Sequence, residues 1–154
     1  MSNIIHGSTK TYTHSNGLSC CFRQWRAQSH CRFLHGYALQ IKLTFEASEL
    51  DERNWAVDFG GLKSLKGWLE DTFDHKTLVA SDDPELSTFR TLARQGLIQL
   101  REVPSCGCEK FAEMIYEYAE QWLKDAGFSP RCKLISVEVR EHESNSAYVR
   151  IKDV

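Results

Sequence analysis

A chain of 154 residues that is 42% hydrophobic and 26% charged has enough apolar material for one ordinary core, and a single domain over residues 1–154 is expected. The net charge of −2 and isoelectric point near 6.3 exclude nucleic-acid binding as the main business of the surface. No apolar run reaches the length of a membrane span, and Met1-Ser2-Asn3-Ile4-Ile5-His6 lacks the basic-then-apolar pattern of a secretory leader. A cytoplasmic protein without nucleic-acid or membrane partners is therefore expected. In that setting the six cysteines (Cys20, Cys21, Cys31, Cys106, Cys108 and Cys132) read as reduced thiols rather than a disulfide framework.

In chain order, residues 1–16 are polar and read as irregular. Leu18 to Trp25, rich in Cys and aromatics, reads as a strand. Tyr37 to Glu46 alternates, with Leu39, Ile41, Leu43 and Phe45 on one face and Gln40, Lys42, Thr44 and Glu46 on the other, which is a half-buried antiparallel strand. Ser48 to Asn54 is a charged turn, and Trp55-Ala56-Val57 returns to the core. Asp58 stands at an N-cap position ahead of Leu62, Leu65, Leu69 and Phe73, whose spacing predicts an amphipathic helix. Ser81-Asp82-Asp83-Pro84 is a loop, and Glu85–Gln95 a short helix stopped at Gly96. A second long helix follows Pro104, carries Phe111, Ile115, Tyr118 and Trp122 on one face, and ends at Gly127. The chain closes on a hairpin: Ile135, Val137 and Val139 alternate outward, Glu143 to Ser146 turn, and Ala147, Val149 and Ile151 return. The resulting class is α+β, a four-stranded antiparallel sheet with two helices on one face. Its two open edges invite pairing with other subunits.

Chemistry concentrates in Cys31-Arg32-Phe33-Leu34-His35-Gly36-Tyr37. His30 and Arg32 beside the Cys31 thiol favour thiolate, although an isolated Cys near aromatics is more often a small buried hydrophobe. His35 precedes a strand, and Gly36 lets another backbone come close. His30 and His35 together are a weak metal signal beside a paired Cys-x-x-Cys. Asp74-His75 offers a carboxylate-oriented imidazole that carries protons near neutral pH. On spacing alone, a histidine favoured by the helix macrodipole is the stronger reading there. Glu141 is either a solvated strand-end charge or a carboxylate that takes two hydrogen bonds from an amidine-like ring edge. Cys106 and Cys108 with Cys20 and Cys21 would make a soft metal site if they converged, a reading ranked below packing.

The ordered set Cys31 to Gly36, Asp58-Phe59-Gly60-Gly61-Leu62-Lys63, Asp74-His75-Lys76-Thr77-Leu78 and Val139-Arg140-Glu141, with a weaker match at Glu109-Lys110-Phe111-Ala112, resembles the 6-pyruvoyltetrahydropterin synthase / 6-carboxytetrahydropterin synthase family. The resemblance runs from about residue 18 to 150. It implies a T-fold whose subunits join edge to edge into a barrel-like trimer, with two trimers stacked as a homohexamer. It also implies active sites between subunits and a pterin substrate, 7,8-dihydroneopterin triphosphate. In the bacterial branch the product is 6-carboxy-5,6,7,8-tetrahydropterin for queuosine, with release of acetaldehyde and triphosphate. By the same resemblance Cys31 is the base, Asp74 and His75 a proton relay from a neighbouring subunit, and Glu141 the holder of the pterin ring. A zinc ion would supply Lewis acidity. From charge alone, Arg23, Arg26 and Arg32 are candidates for the triphosphate.

The sequence departs from the family at the metal. Three histidines are expected, one at the end of a Phe-x-x-x-His and two in a His-Gly-His. Here the first stretch reads Phe22-Arg23-Gln24-Trp25-Arg26 and the second His35-Gly36-Tyr37. His35 alone survives, with His30 as the leading substitute ligand for an altered Zn2+ site, unless the metal is weak, different or absent. The reading is a divergent paralogue and a carbon–carbon lyase of the 6-carboxytetrahydropterin synthase type. The alternatives are a non-catalytic pterin-binding or metal-handling protein, or a related dihydroneopterin lyase or epimerase.

Overall fold

The computed structural model describes residues 3–152; residues 1–2 and 153–154, the ends of the expected domain, lie outside the described residues. The elements are β1 (His6–Tyr12), β2 (Leu18–Phe22), β3 (His35–Ala47), α1 (Lys63–Phe73), β4 (Lys76–Ala80), α2 (Leu86–Arg94), β5 (Gln99–Val103), α3 (Cys108–Asp125), β6 (Cys132–His142) and β7 (Asn145–Arg150). They form one seven-stranded sheet in the order β5-β4-β2-β3-β6-β7, with β1 also on β3.

The central strand β3 has the predicted alternation. Leu39, Ile41, Leu43, Phe45 and Ala47 are buried, whereas Lys42 is exposed and Gln40, Thr44 and Glu46 are half-buried. One edge of β3 pairs antiparallel with β6, from Gln40↔Arg140 to Ala47↔Cys132. The other edge is shared: β2 pairs with residues 35–39 and β1 with residues 41–47. Leu65, Leu69 and Phe73 of α1 and Phe111, Ala112 and Ile115 of α3 share the hydrophobic cluster with the inward residues of β3. Phe111 stands edge-on to Phe22 at 5.0 Å and to Phe73 at 5.4 Å, a geometry that aromatic rings prefer.

The α+β T-fold expectation holds, but the sheet has seven strands rather than four, is mixed rather than wholly antiparallel because β4 pairs in parallel with β2 and β5, and comes with three helices rather than two. The N-terminal segment expected to be irregular contains β1. It escapes a periodicity test because only Tyr12 is fully buried; the rest is a polar ribbon held by ladder hydrogen bonds. Residues 76–103 hold β4 and β5, which pair in parallel. Their mates are brought together by α2, so nothing local announces them. Expected boundaries also move. The strand from Leu18 ends at Phe22, and α3 begins at Cys108 rather than near Pro104. Asp58 caps a 3-10 turn (Phe59–Leu62) that leads into α1, its carboxylate accepting from the Gly60 amide at 2.8 Å.

Candidate active site

Between the end of β2 and the start of β3, residues 23–34 contain only one 3-10 turn, His30–Arg32, which carries Cys31. The Ser29 hydroxyl accepts from the Cys31 amide at 3.3 Å, and the Cys31 carbonyl accepts from the Gln24 amide at 2.9 Å. The Gln24 side chain then donates to the Cys106 carbonyl at 3.1 Å, tying this loop to the approach to α3. Two glycines permit the crossing. A Cβ on Gly36 would lie 2.7 Å from the Cys20 carbonyl oxygen, as the close-approach reading of Gly36 requires. Gly107 has φ +117°, and a Cβ there would lie 2.2 Å from the Gln24 amide nitrogen.

The result is a cavity of about 580 Å³. Its chemically useful lining is Cys31, His35, Tyr37, Glu109, Arg140 and Glu141. His35 is set by its Nδ1, 2.6 Å from the Phe33 carbonyl. That contact requires the proton on Nδ1 and leaves Nε2 free to accept. Tyr37 stands edge-on to His35 at 5.3 Å. Burial first, then the nearby Glu141 carboxylate, pushes the phenol above its ordinary pKa, so its proton stays on. Glu141 also accepts from the Asn145 side chain at 3.4 Å. The Cys108 thiol at the cavity wall is pushed up to about 12 by burial and by Glu141 and Glu109, which makes it a neutral thiol at ordinary pH.

Cys31, His35 and Glu141, predicted from separate segments, therefore share one cavity, and Tyr37 faces into it. Asp74 and His75 are elsewhere. Their side chains are joined at 2.7 Å, and the His75 ring is 82% exposed. His75 lines a second, open depression with Lys76, Thr77 and Leu97. Its φ of +58° is unusual for a residue with a side chain, and its amide is pinned to the Ser19 carbonyl at 2.6 Å. Arg23, Arg26 and Arg32 are absent from the cavity lining. Arg23 pairs with Asp83, Arg26 with Asp82, and Arg32 lies over Phe33. The cation in the cavity wall is Arg140, which sequence reasoning passed over although it adjoins Glu141. Glu109, at the first turn of α3, was noticed only as a motif letter.

The expected zinc site is not assembled within one chain. His35 lines the cavity, His30 does not, and among the described residues no group of three or more His, Cys, Asp or Glu is placed to hold a metal ion. Zinc asks for at least three protein donors. The Arg26 position is ion-paired with Asp82 at 3.0 Å. Within one chain, the described residues do not supply the three donors that the ion asks for. Nor, among the described residues, do the other cysteines make a soft site: no three of them are placed to hold a metal ion. Burial pushes the Cys20, Cys106 and Cys108 thiols up to about 12. All six cysteines are free of disulfides, as expected. Among the described residues no helix is long and apolar enough to cross a membrane.

Comparison with known proteins bears on the family and the fold. The sequence model of the family described as "6-pyruvoyl tetrahydropterin synthase" matches residues 11–152. A 6-carboxy-5,6,7,8-tetrahydropterin synthase of Rickettsia conorii is 35% identical over 60 residues, which are 38% of this chain; the match spans 44% of that protein's length, less than half. The enzyme of the same name from Aquifex aeolicus is 25% identical over 134 residues, 85% of this chain and 82% of its own. Among solved structures, an uncharacterized protein of Wolinella succinogenes superposes with a TM-score of 0.82 at 20% identity, covering 96% of this chain and 99% of its own. The 6-pyruvoyl tetrahydropterin synthase of Plasmodium falciparum gives 0.67 at 14% identity, covering 96% and 98%. Those two likenesses establish the fold, and the match over residues 11–152 establishes that this chain belongs to the 6-pyruvoyl tetrahydropterin synthase family.

Proposed function

We propose that the chain is a carbon–carbon lyase acting on 7,8-dihydroneopterin triphosphate and forming 6-carboxy-5,6,7,8-tetrahydropterin, a step toward queuosine. The observation that carries the reading is the convergence of Cys31, His35 and Glu141 on one cavity that also holds the Tyr37 phenol. A cavity lined by a carboxylate, a thiol and an imidazole suits a planar heterocycle bearing a reactive side chain. Glu141 accepts two hydrogen bonds from the amino-pyrimidine edge. Cys31 takes the proton that must leave the substrate side chain, and His35 Nε2 accepts from a side-chain hydroxyl. Tyr37 keeps the Glu141 carboxylate aimed and its charge stabilised. Arg140, the cation nearest these groups in sequence, offsets negative charge on the ligand.

Asp74 and His75 complete the reading only between copies of the chain. Their hydrogen bond gives an oriented, exposed imidazole that one chain does not bring to its own cavity. The proposed assembly is a homohexamer of stacked trimers in which His75 of one copy serves the cavity of the next. The outer strands β5 and β7 of the sheet supply edges for the pairing. The test is incubation of the purified protein with 7,8-dihydroneopterin triphosphate and identification of product by chromatography and mass spectrometry. 6-Carboxytetrahydropterin formed by the wild type and not by Cys31→Ala supports the proposal. Substrate bound but returned unchanged by the wild type overturns it.

A further inference from the structure

Residues 23–34 lie outside helix and sheet except for the single turn at Cys31, so hydrogen bonds and ion pairs must hold the loop in place. Most of the side-chain bonds that leave the loop converge on one neighbouring turn. Arg23 grips Asp83 with two nitrogens, Nη2 at 2.6 Å and Nε at 2.9 Å, and a third, Nη1, reaches back to the Arg32 carbonyl at 3.4 Å. The Asp83 side chain is 1% exposed and also accepts from the Glu85 amide at 2.8 Å. Asp82 accepts from Trp25 Nε1 at 3.2 Å and from Arg26 at 3.0 Å, and the Arg26 guanidinium lies over the Trp25 ring at 4.1 Å. Arg23 thus spans the loop from its first residue to the residue just after Cys31, with its charge anchored in a buried carboxylate.

We infer that the Arg23–Asp83 pair is the positioning device for Cys31, fixing its loop against the turn after β4 so that the thiol stays on the cavity wall. The functional half of this inference rests on the proposed role of Cys31; the structural half does not. A buried bidentate pair with every oxygen occupied is a strong, directional tether, and removing one partner strands the other. The contacts of Asp82 lie at the surface and contribute far less. The rival organiser is a metal ion shared by His30 and His35, which flank Cys31 on both sides.

Limited trypsin digestion of the full chain separates the two. Cleavage after Arg26 and Arg32 requires the loop to open, whereas cleavage after Lys66 in α1 and Lys124 in α3 reports wider unfolding. Asp83→Asn and Arg23→Gln are each expected to speed cutting after Arg26 and Arg32 about tenfold, with alkylation of Cys31 by iodoacetamide rising in parallel and the helix sites unchanged. Arg23→Lys keeps the charge but loses the two-nitrogen grip and the reach to the Arg32 carbonyl, and its loop cutting is expected to fall between those of the wild type and Arg23→Gln. Chelator is expected to leave wild-type loop cutting unchanged. Unaltered loop cutting in Asp83→Asn overturns the inference. An equal rise at all four sites does the same, as does wild-type loop cutting accelerated by chelator and reversed by zinc. No arm uses a pterin, so failure of the proposed enzymatic reading leaves the outcome readable.

Discussion

Replacing Gly107 by Ala tests how the cavity is closed, and its cost separates into parts. At φ +117° an L-residue is strained whatever its surroundings, which costs on the order of 1–3 kcal/mol. The new methyl would also sit 2.2 Å from the Gln24 amide nitrogen, so the Gln24 side chain must move and its 3.1 Å bond to the Cys106 carbonyl is lost, a further ~1 kcal/mol. The sum is about 2–4 kcal/mol. For a chain of this size that lowers Tm by about 5–15 °C. Gly127→Ala is the internal control: φ is +81° there, and nothing lies within 4 Å of the added Cβ. It should show the backbone cost alone. Urea unfolding of both variants, with Gln24→Ala as a third background, isolates the contact. With Gln24 truncated, the cost of Gly107→Ala should fall by about 1 kcal/mol, to its backbone share. A cost that Gln24→Ala leaves unchanged would refute the claim that this crossing joins the Cys31 loop to α3.

Glu141→Gln should weaken binding of neopterin about 10- to 100-fold, measured by fluorescence quenching, because a charged acceptor of two hydrogen bonds becomes half a donor. Unchanged affinity would remove Glu141 from ring recognition. Stability should also respond to acid. The Arg23 guanidinium holds the Asp83 carboxyl below the usual carboxylate range, so the unfolded chain binds its proton first. The stabilisation is therefore complete above the unfolded value of about 4 and is lost as pH falls toward the lower folded value. Urea midpoints followed from about pH 6 to about pH 3 should fall for the wild type and fall less steeply for Asp83→Asn; parallel slopes would contradict the pairing.

The parts of this molecule that were legible in sequence are those whose physics is local. β3 shows its buried face because alternate residues differ in polarity, and α1 and α3 show theirs at helical spacing. β1 is invisible for the opposite reason: it is polar on both faces and owes its form to the neighbouring strand. β4, with Leu78, Val79 and Ala80 all buried, gives a run too short to tell from a helix fragment. In the candidate site, Cys31, His35 and Glu141 could be chosen because their residue types and order match a family. Arg140 and Glu109 could not, since nothing in a strand-end arginine or a helix-start glutamate shows which way it faces until the loop crossing at Gly107 is known. The arginines near Cys31 misled for a related reason. The charges of Arg23 and Arg26 are answered by Asp83 and Asp82, 60 and 56 residues away, and no local pattern records that.

The ladder between β2 and β4 has a mechanical consequence. It is only two rungs long, Cys20↔Lys76 and Cys21↔Thr77, yet it is where the β4-α2-β5 unit joins the rest of the sheet. Two rungs resist sliding but offer little resistance to twisting. Arg23, just past one end of that seam, grips Asp83, just past the end of β4. The ion pair is therefore a side-chain clasp beside a short backbone seam, and it joins the β4-α2-β5 unit directly to the loop that carries Cys31.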